Sequence, residues 1–186
     1  MSRLAVATHT GCLNRPGFYP QAPRIAELSP WPSTPPETTN PPSQLKSGQS
    51  LSLVARSNKV VTARGGLKLI PDSAFNSNAQ YDFLIVPGGV TERAEADAET
   101  MHWLAVHGNS SKLVASVCTG AFLLAKAGIL TNQTVTTHWE DTAALAEAYP
   151  TLTVLENIRW LKTENIYTSA GISAGIDGTA VGLVDT

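Results

Sequence analysis

The sequence predicts an α/β fold built on a mostly parallel sheet, and three observations carry that prediction. Short apolar runs stopped by glycine or proline recur from residue 51 onward. Segments of helical character, about ten to fifteen residues long, alternate with them. One of only two cysteines, Cys118, falls where such a run meets such a segment. Strands alternating with helices in this way imply a sheet covered on both faces.

Taken in order, the first fifty residues differ from the rest. Nine of the twelve prolines fall there, six of them within PWPSTPPETTNPPS. Proline has no N–H and disfavours helix in the residue before it, so residues 29–50 are expected to be an extended, mobile linker. Residues 1–50 thus read as an atypical, largely irregular N-terminal segment ahead of a domain over 51–186. Within that segment RLAVAT suits a short strand and PRIAEL a single helical turn.

From residue 51, LSLVAR reads as a strand and VVTARGGLKLIPD as a hairpin around Gly65-Gly66. YDFLIVPGG has the form of a buried parallel strand. EADAETMHWLAVHG reads as a helix, with acidic residues leading, Met101, Leu104 and Ala105 on one face and Gly108 as its stop. KLVASV is the next strand, and a helix over 119–128 follows. TVTTHW is extended, EDTAALAEAYP helical up to Pro150, and LTVLE, IRWLKT and NIYTSAG are strands. Asp177 reads as the cap of a last helix, and no internal repeat is visible.

Composition narrows the function classes. A net charge of -2 gives no footing for nucleic acid or for an anionic membrane surface. No apolar run approaches the length of a membrane span, and the N-terminus lacks the long apolar region of a secretory signal, so a cytoplasmic protein is expected. Cys12 and Cys118 cannot make a disulfide framework, and there is no CxxC pair. His9, His102 and His107 have no second ligand at metal spacing, so no metal is expected.

In a parallel sheet, ligands bind beyond the carboxyl ends of the strands. Cys118 directly follows KLVASV, in the pattern Ser116-x-Cys118-x-Gly120. That spacing copies the G-x-S-x-G nucleophile elbow, where a sharp turn leaves room only for small neighbours. A helix starting behind the cysteine favours its thiolate, and the Thr119 N–H, without an acceptor inside the helix, can donate to a developing oxyanion. IVPGGV ends the neighbouring strand in Gly88 and Gly89, and the Gly89 N–H is expected as a second donor. On these residues alone, a nucleophile and a small buried structural cysteine are both open readings. His138 in TTHW is open in the same way, between a structural side chain and a base.

DFLIVPGG, LVASVCTGAFLLAKAGIL, TVTTHW and IYTSAGISAGID, in this order, resemble the ThiJ/PfpI superfamily of class I glutamine amidotransferase-like proteins. The resemblance covers roughly residues 51–178. Within the superfamily it points to the isonitrile hydratase branch and to the similar sensor domains of AraC-type regulators. It implies a flavodoxin-like three-layer sandwich, usually a homodimer, with Cys118 as the elbow nucleophile. Gly88, Gly89, Thr119 and Gly120 would surround the substrate. Thr119 matches this branch, where other members carry a histidine, which argues against a Cys-His pair. The implied activity is hydration of an isonitrile, a small molecule, to an N-substituted formamide, with no metal or organic cofactor.

The chain departs from the pattern at both ends. Relatives carry an acid shortly after the first strand and a PGF-type turn. Here Tyr19 and Ala22 take those places, and Glu27, out of register, is the nearby carboxylate. GIDGTAVGLVDT stops where relatives continue a helix, so the domain is expected to be shortened at its C-terminus. Weak or absent activity is the expectation. The alternatives are a non-catalytic sensor or redox-responsive domain using the same cysteine and a degraded, inactive relative; the AraC-type sensor would need a helix-turn-helix after the domain.

Overall fold

A computed structural model of the chain describes residues 2–8, 49–62, 68–75 and 78–171. In chain order the elements are β1 (Ser2–Thr8), β2 (Gln49–Ala55), β3 (Val61–Thr62), β4 (Lys68–Leu69), β5 (Ser73–Ala74) and β6 (Phe83–Val86). Then come α1 (Glu92–Glu95), α2 (Ala98–Ser110), β7 (Leu113–Val117), α3 (Gly120–Lys126) and β8 (Thr134–Val135). The last are α4 (Thr142–Ala148), β9 (Thr153–Val154), β10 (Trp160–Thr163) and β11 (Ile166–Ser169). PRIAEL, most of the proline-rich stretch, Gly65-Gly66, Cys12, Glu27 and Asp177 lie outside the described residues.

The main sheet has seven strands in the order β10-β11-β7-β6-β1-β2-β5, and only β10 runs antiparallel to its neighbour. The strand expected over RLAVAT lies in the middle of this sheet. It pairs with β2 from Ser2 opposite Gln49 to Thr8 opposite Ala55, and with β6 from Leu4 opposite Phe83 to Val6 opposite Ile85. The sheet therefore takes a central strand from the segment set apart by its prolines. β2 in turn begins at Gln49, inside the stretch expected to be irregular.

Burial on both faces explains why β6 and β7 read as continuous apolar runs. Val54, Leu84, Val86, Val114 and Ile166 face one side and pack with Leu104 of α2, Leu123 and Leu124 of α3 and Leu145 of α4. Phe83, Leu113, Ala115 and Tyr167 form a second cluster on the other side. The hairpin expected around VVTARGGLKLIPD is present as the antiparallel pair β3–β4.

The helix boundaries differ from the sequence reading. The helix expected over EADAETMHWLAVHG is divided: α1 ends at Glu95, and Asp97 caps a new helix by accepting from the Thr100 N–H at 3.1 Å. Arg56 fixes that cap, its Nη1 3.1 Å from Asp97 Oδ1. Gly108 does not stop the helix. It lies buried inside α2, where a Cβ would sit 2.3 Å from Ile129 Cδ1, so glycine is there to admit Ile129. The helix ends instead at Ser111, whose hydroxyl donates to the carbonyls of His107 (2.7 Å) and Tyr81 (3.1 Å). The buried face of α2 is Thr100, Trp103, Leu104 and Gly108, rotated from the expected Met101, Leu104 and Ala105.

α3 and α4 are trimmed at their ends to seven residues each. Gly128 closes α3 at φ 75, a left-handed conformation that suits glycine, with open space where a Cβ would be.

His107 packs in an aromatic group, 4.4 Å from the Trp103 ring centroid and 5.4 Å from that of Tyr81. Burial pushes its pKa below the ordinary histidine value. The unfolded chain therefore takes up a proton that the fold resists, and stability should fall as pH drops through about 6.5. Above pH 7 this contribution is constant. Thermal denaturation at pH 7.5 and 5.5 should show a smaller drop for His107→Gln than for the wild type, and equal drops would refute the assignment.

Candidate functional site

The topology selects one end of the sheet. The chain leaves β1 toward β2 on one side, whereas β6, β7 and β11 build outward on the other, so the crevice between β1 and β6 is the switch point where such sheets bind ligands. Beside it end β6, with Val86 opposite Ser116, and β7, with Val117 opposite Ser169.

Cys118 stands on this edge and is half-buried. Its φ is 56, a left-handed conformation that side-chain-bearing residues rarely adopt. The chain must reverse from strand to helix at this residue, which is the sharp elbow that the Ser-x-Cys-x-Gly spacing predicts. Both backbone polar groups of Cys118 are held from outside the turn. Its N–H donates to the Ser169 carbonyl at 2.9 Å, and its carbonyl accepts the Thr137 hydroxyl at 2.9 Å. Ser169 in turn donates its own hydroxyl to the Ser116 carbonyl at 3.1 Å.

The small residues around the cysteine have steric reasons. A Cβ on Gly120 would lie 2.3 Å from the Val86 carbonyl oxygen, so only glycine lets α3 start against the end of β6. A Cβ on Gly88 would lie 2.5 Å from the Thr119 nitrogen and 2.8 Å from the Val117 carbonyl oxygen. The Pro87-Gly88-Gly89 loop can therefore reach the elbow only because Gly88 has no side chain. Ser116 is buried two residues before the cysteine, and its hydroxyl finds no hydrogen-bond partner among the described residues.

Thr119 joins the two loops. Its hydroxyl donates to the Gly89 carbonyl at 2.8 Å and accepts from the Gly89 N–H at 2.8 Å, with Gly89 at φ 134. This engages the very N–H expected as a second oxyanion donor. The Thr119 side chain is thus turned to Gly89, and what Thr119 can offer a ligand is its backbone N–H. That N–H has no acceptor among the described residues, as befits the first position of a helix.

His138 follows Thr137, and its imidazole is set toward the start of α4. Its Nδ1 lies 3.3 Å from Asp141 Oδ2 and 3.8 Å from Glu140 Oε2, and Trp139 stands beside it, 70% exposed. Glu27 lies outside the described residues. A separate cleft of about 410 Å³ opens beyond β2, with Arg56, Lys59, Arg93 and Asp97 on its walls, and Cys118 is not among its lining residues. That cleft is lined by charged, hydroxyl and apolar side chains together. Among the described residues no group of three or more His, Cys, Asp or Glu could hold a metal ion, and no helix is long and apolar enough to cross a membrane.

Sequence reasoning missed two residues, Thr137 and Ser169. TTHW was weighed for its histidine, but its threonine touches the elbow. NIYTSAG reads as a strand, and nothing in it marks Ser169, which supplies both a carbonyl and a hydroxyl.

The sequence pattern of the DJ-1/PfpI family matches residues 35–179. The isonitrile hydratase of Pseudomonas putida is 34% identical over 119 residues, which are 63% of this chain and 50% of that protein. The HTH-type transcriptional regulator GbdR of Pseudomonas aeruginosa is 32% identical over 117 residues, 63% of this chain and 32% of the regulator. The chain thus spans about half the length of the first relative and a third of the second. Among solved structures, a ThiJ/PfpI family protein from Pseudomonas syringae superposes with a TM-score of 0.68 at 32% identity, covering 74% of this chain and 57% of that one. DJ-1beta of Drosophila melanogaster shares the fold, with a TM-score of 0.66 at 16% identity over 74% of this chain and 75% of that one.

The packing at the elbow makes two measurable demands. Gly120→Ala should destabilise the fold by about 1–3 kcal/mol, because it is the Val86 backbone that must move. Thr119→Val should cost about 1–2 kcal/mol through the lost Gly89 bonds, and Thr119→Ser should recover most of it. Urea unfolding measures both, and a Thr119→Val midpoint equal to that of the wild type would refute the clamp.

Proposed function

The chain belongs to the DJ-1/PfpI family, and from that premise we propose that it is an isonitrile hydratase-like domain whose nucleophile is Cys118. The observation that carries the reading is the left-handed Cys118 at the sheet's switch point, with the Thr119 N–H beside it. The 34% identity to the isonitrile hydratase of Pseudomonas putida supports the choice of substrate class.

In the proposed reaction the Cys118 thiolate adds to the terminal carbon of R–N≡C, and that carbon takes up a proton, giving the thioimidate R–N=CH–S–Cys118. Water adds to the same carbon and the nitrogen is protonated. The tetrahedral adduct R–NH–CH(OH)–S–Cys118 then collapses: its hydroxyl loses a proton, a C=O forms as the C–S bond breaks, and R–NH–CHO leaves with the thiolate restored. The net change is addition of one water, and no metal or organic cofactor takes part. The Thr119 N–H donates to the oxygen of the tetrahedral adduct.

Proton transfers fall to Glu27 or His138. His138 is favoured by its place next to Thr137, which touches the elbow, and by Asp141, which orients Nδ1. General acid–base help of this kind contributes about 10²–10⁴-fold. With Tyr19 and Ala22 where relatives carry an acid, turnover is expected to be slow. A second reading, a non-catalytic sensor domain, is supported by the 32% identity to GbdR and by the engagement of the Gly89 N–H.

The test is formamide production from a simple isonitrile. The wild type should produce it slowly, Cys118→Ala should fall to background, and His138→Gln should lose more than Glu27→Gln. Formamide made equally by Cys118→Ala would sink the nucleophile. A wild type that binds isonitrile without turning it over would favour the sensor.

A further inference from the structure

We infer that Thr137 is a positioning residue for the elbow: by donating its hydroxyl to the Cys118 carbonyl, it fixes the direction of the Thr119 N–H. The inference rests on the reading of Cys118 as nucleophile and of the Thr119 N–H as its donor.

The Cys118 carbonyl and the Thr119 N–H are opposite ends of one peptide group. That group is planar and trans, so the C=O and the N–H point in opposite directions, and holding one aims the other. The flanks of this peptide are tied by other contacts, the Cys118 N–H to the Ser169 carbonyl and the Thr119 side chain to Gly89. Neither tie sets the rotation of the plane between them. A peptide can turn about its Cα–Cα line while both Cα atoms stay in place, through compensating changes in one ψ and the next φ. The bond from Thr137 Oγ1 at 2.9 Å is a contact that opposes this turn. Thr137 is fully buried, at 0% exposure, so water does not stand in for the hydroxyl.

The neighbouring residue supplies an internal control. Thr136 is equally buried, and its hydroxyl also donates to a carbonyl at 2.9 Å, but that carbonyl belongs to Leu155, away from the elbow. Removing either hydroxyl takes one donor from a backbone carbonyl. Only the Thr137 bond bears on the peptide behind the thiol.

The experiment uses the full chain and two readouts. Alkylation of Cys118 by iodoacetamide is followed against pH by peptide mass spectrometry, and formamide production is followed separately. The wild-type alkylation midpoint should lie below the ordinary thiol value of about 8.5. Thr137→Val should raise it by about one pH unit, a tenfold loss of thiolate near neutrality, and should lower turnover by about 10²-fold. Thr137→Ser should restore both. Thr136→Val should leave the midpoint unchanged even where it lowers thermal stability. Should Thr137→Val fail to fold, Thr137→Ala is read against the same limits.

A wild-type midpoint matched by Thr137→Val, or an equal shift in Thr136→Val, overturns the role of Thr137. A wild-type midpoint at the ordinary value overturns the nucleophile reading, and the inference falls with it. Absent turnover with the full midpoint pattern removes the hydration activity and upholds Thr137.

Discussion

Cys118 at φ 56 is the constraint around which the strand ends are arranged. A left-handed residue that carries a side chain costs roughly 1–3 kcal/mol, and it persists only where its surroundings over-determine it. Here they do so from four directions. Ser169 on β11 takes the N–H, Thr137 beyond β8 takes the carbonyl, Gly120 lets α3 begin against Val86, and Gly88 lets the β6 loop close over Thr119. Each comes from a different part of the chain, so the whole parallel sheet must be in register before the thiol is presented.

The same packing limits the chemistry. Thr119 ties the β6 loop to the elbow through both polar groups of Gly89, which makes the loop rigid and also removes an N–H from the set of anion donors. In the proposed hydration the first adduct carries its charge on carbon, for which one N–H donor at the elbow, rather than two, is enough. Oxygen charge arises only later, when water adds. A single donor also fits a domain that holds a ligand without transforming it. The two readings share a single architecture and differ in whether a proton reaches the adduct.

Sheet topology decides where that proton could come from. β1 lies between β2 and β6, so its end borders the crevice beside the thiol. One approach is from TTHW, whose Thr137 anchors behind the elbow while His138 is held by Asp141. His138 is thus the candidate for that transfer among the described residues, and Glu27 lies outside them.

The sequence by itself determined the elements that depend on near neighbours. The apolar runs over Phe83–Val86 and Leu113–Val117, each ended by a turn residue, identify strands buried on both faces. The Ser116-x-Cys118-x-Gly120 spacing identifies the elbow because a turn that sharp excludes large side chains within two positions. Four ordered motifs identify the family. What only the tertiary structure decided depends on residues far apart in the chain. Asp97 divides the expected helix because Arg56, 41 positions earlier, anchors it as a cap. Gly108 lies inside α2 because Ile129 fills the place of its Cβ. The Gly89 N–H is engaged by a hydroxyl 30 positions on, and the Cys118 carbonyl by one 19 positions on. Hydrogen-bonding capacity is legible in a residue's type, but its partner is fixed only when the strands come together, and at this site the partners decide which groups are left to act.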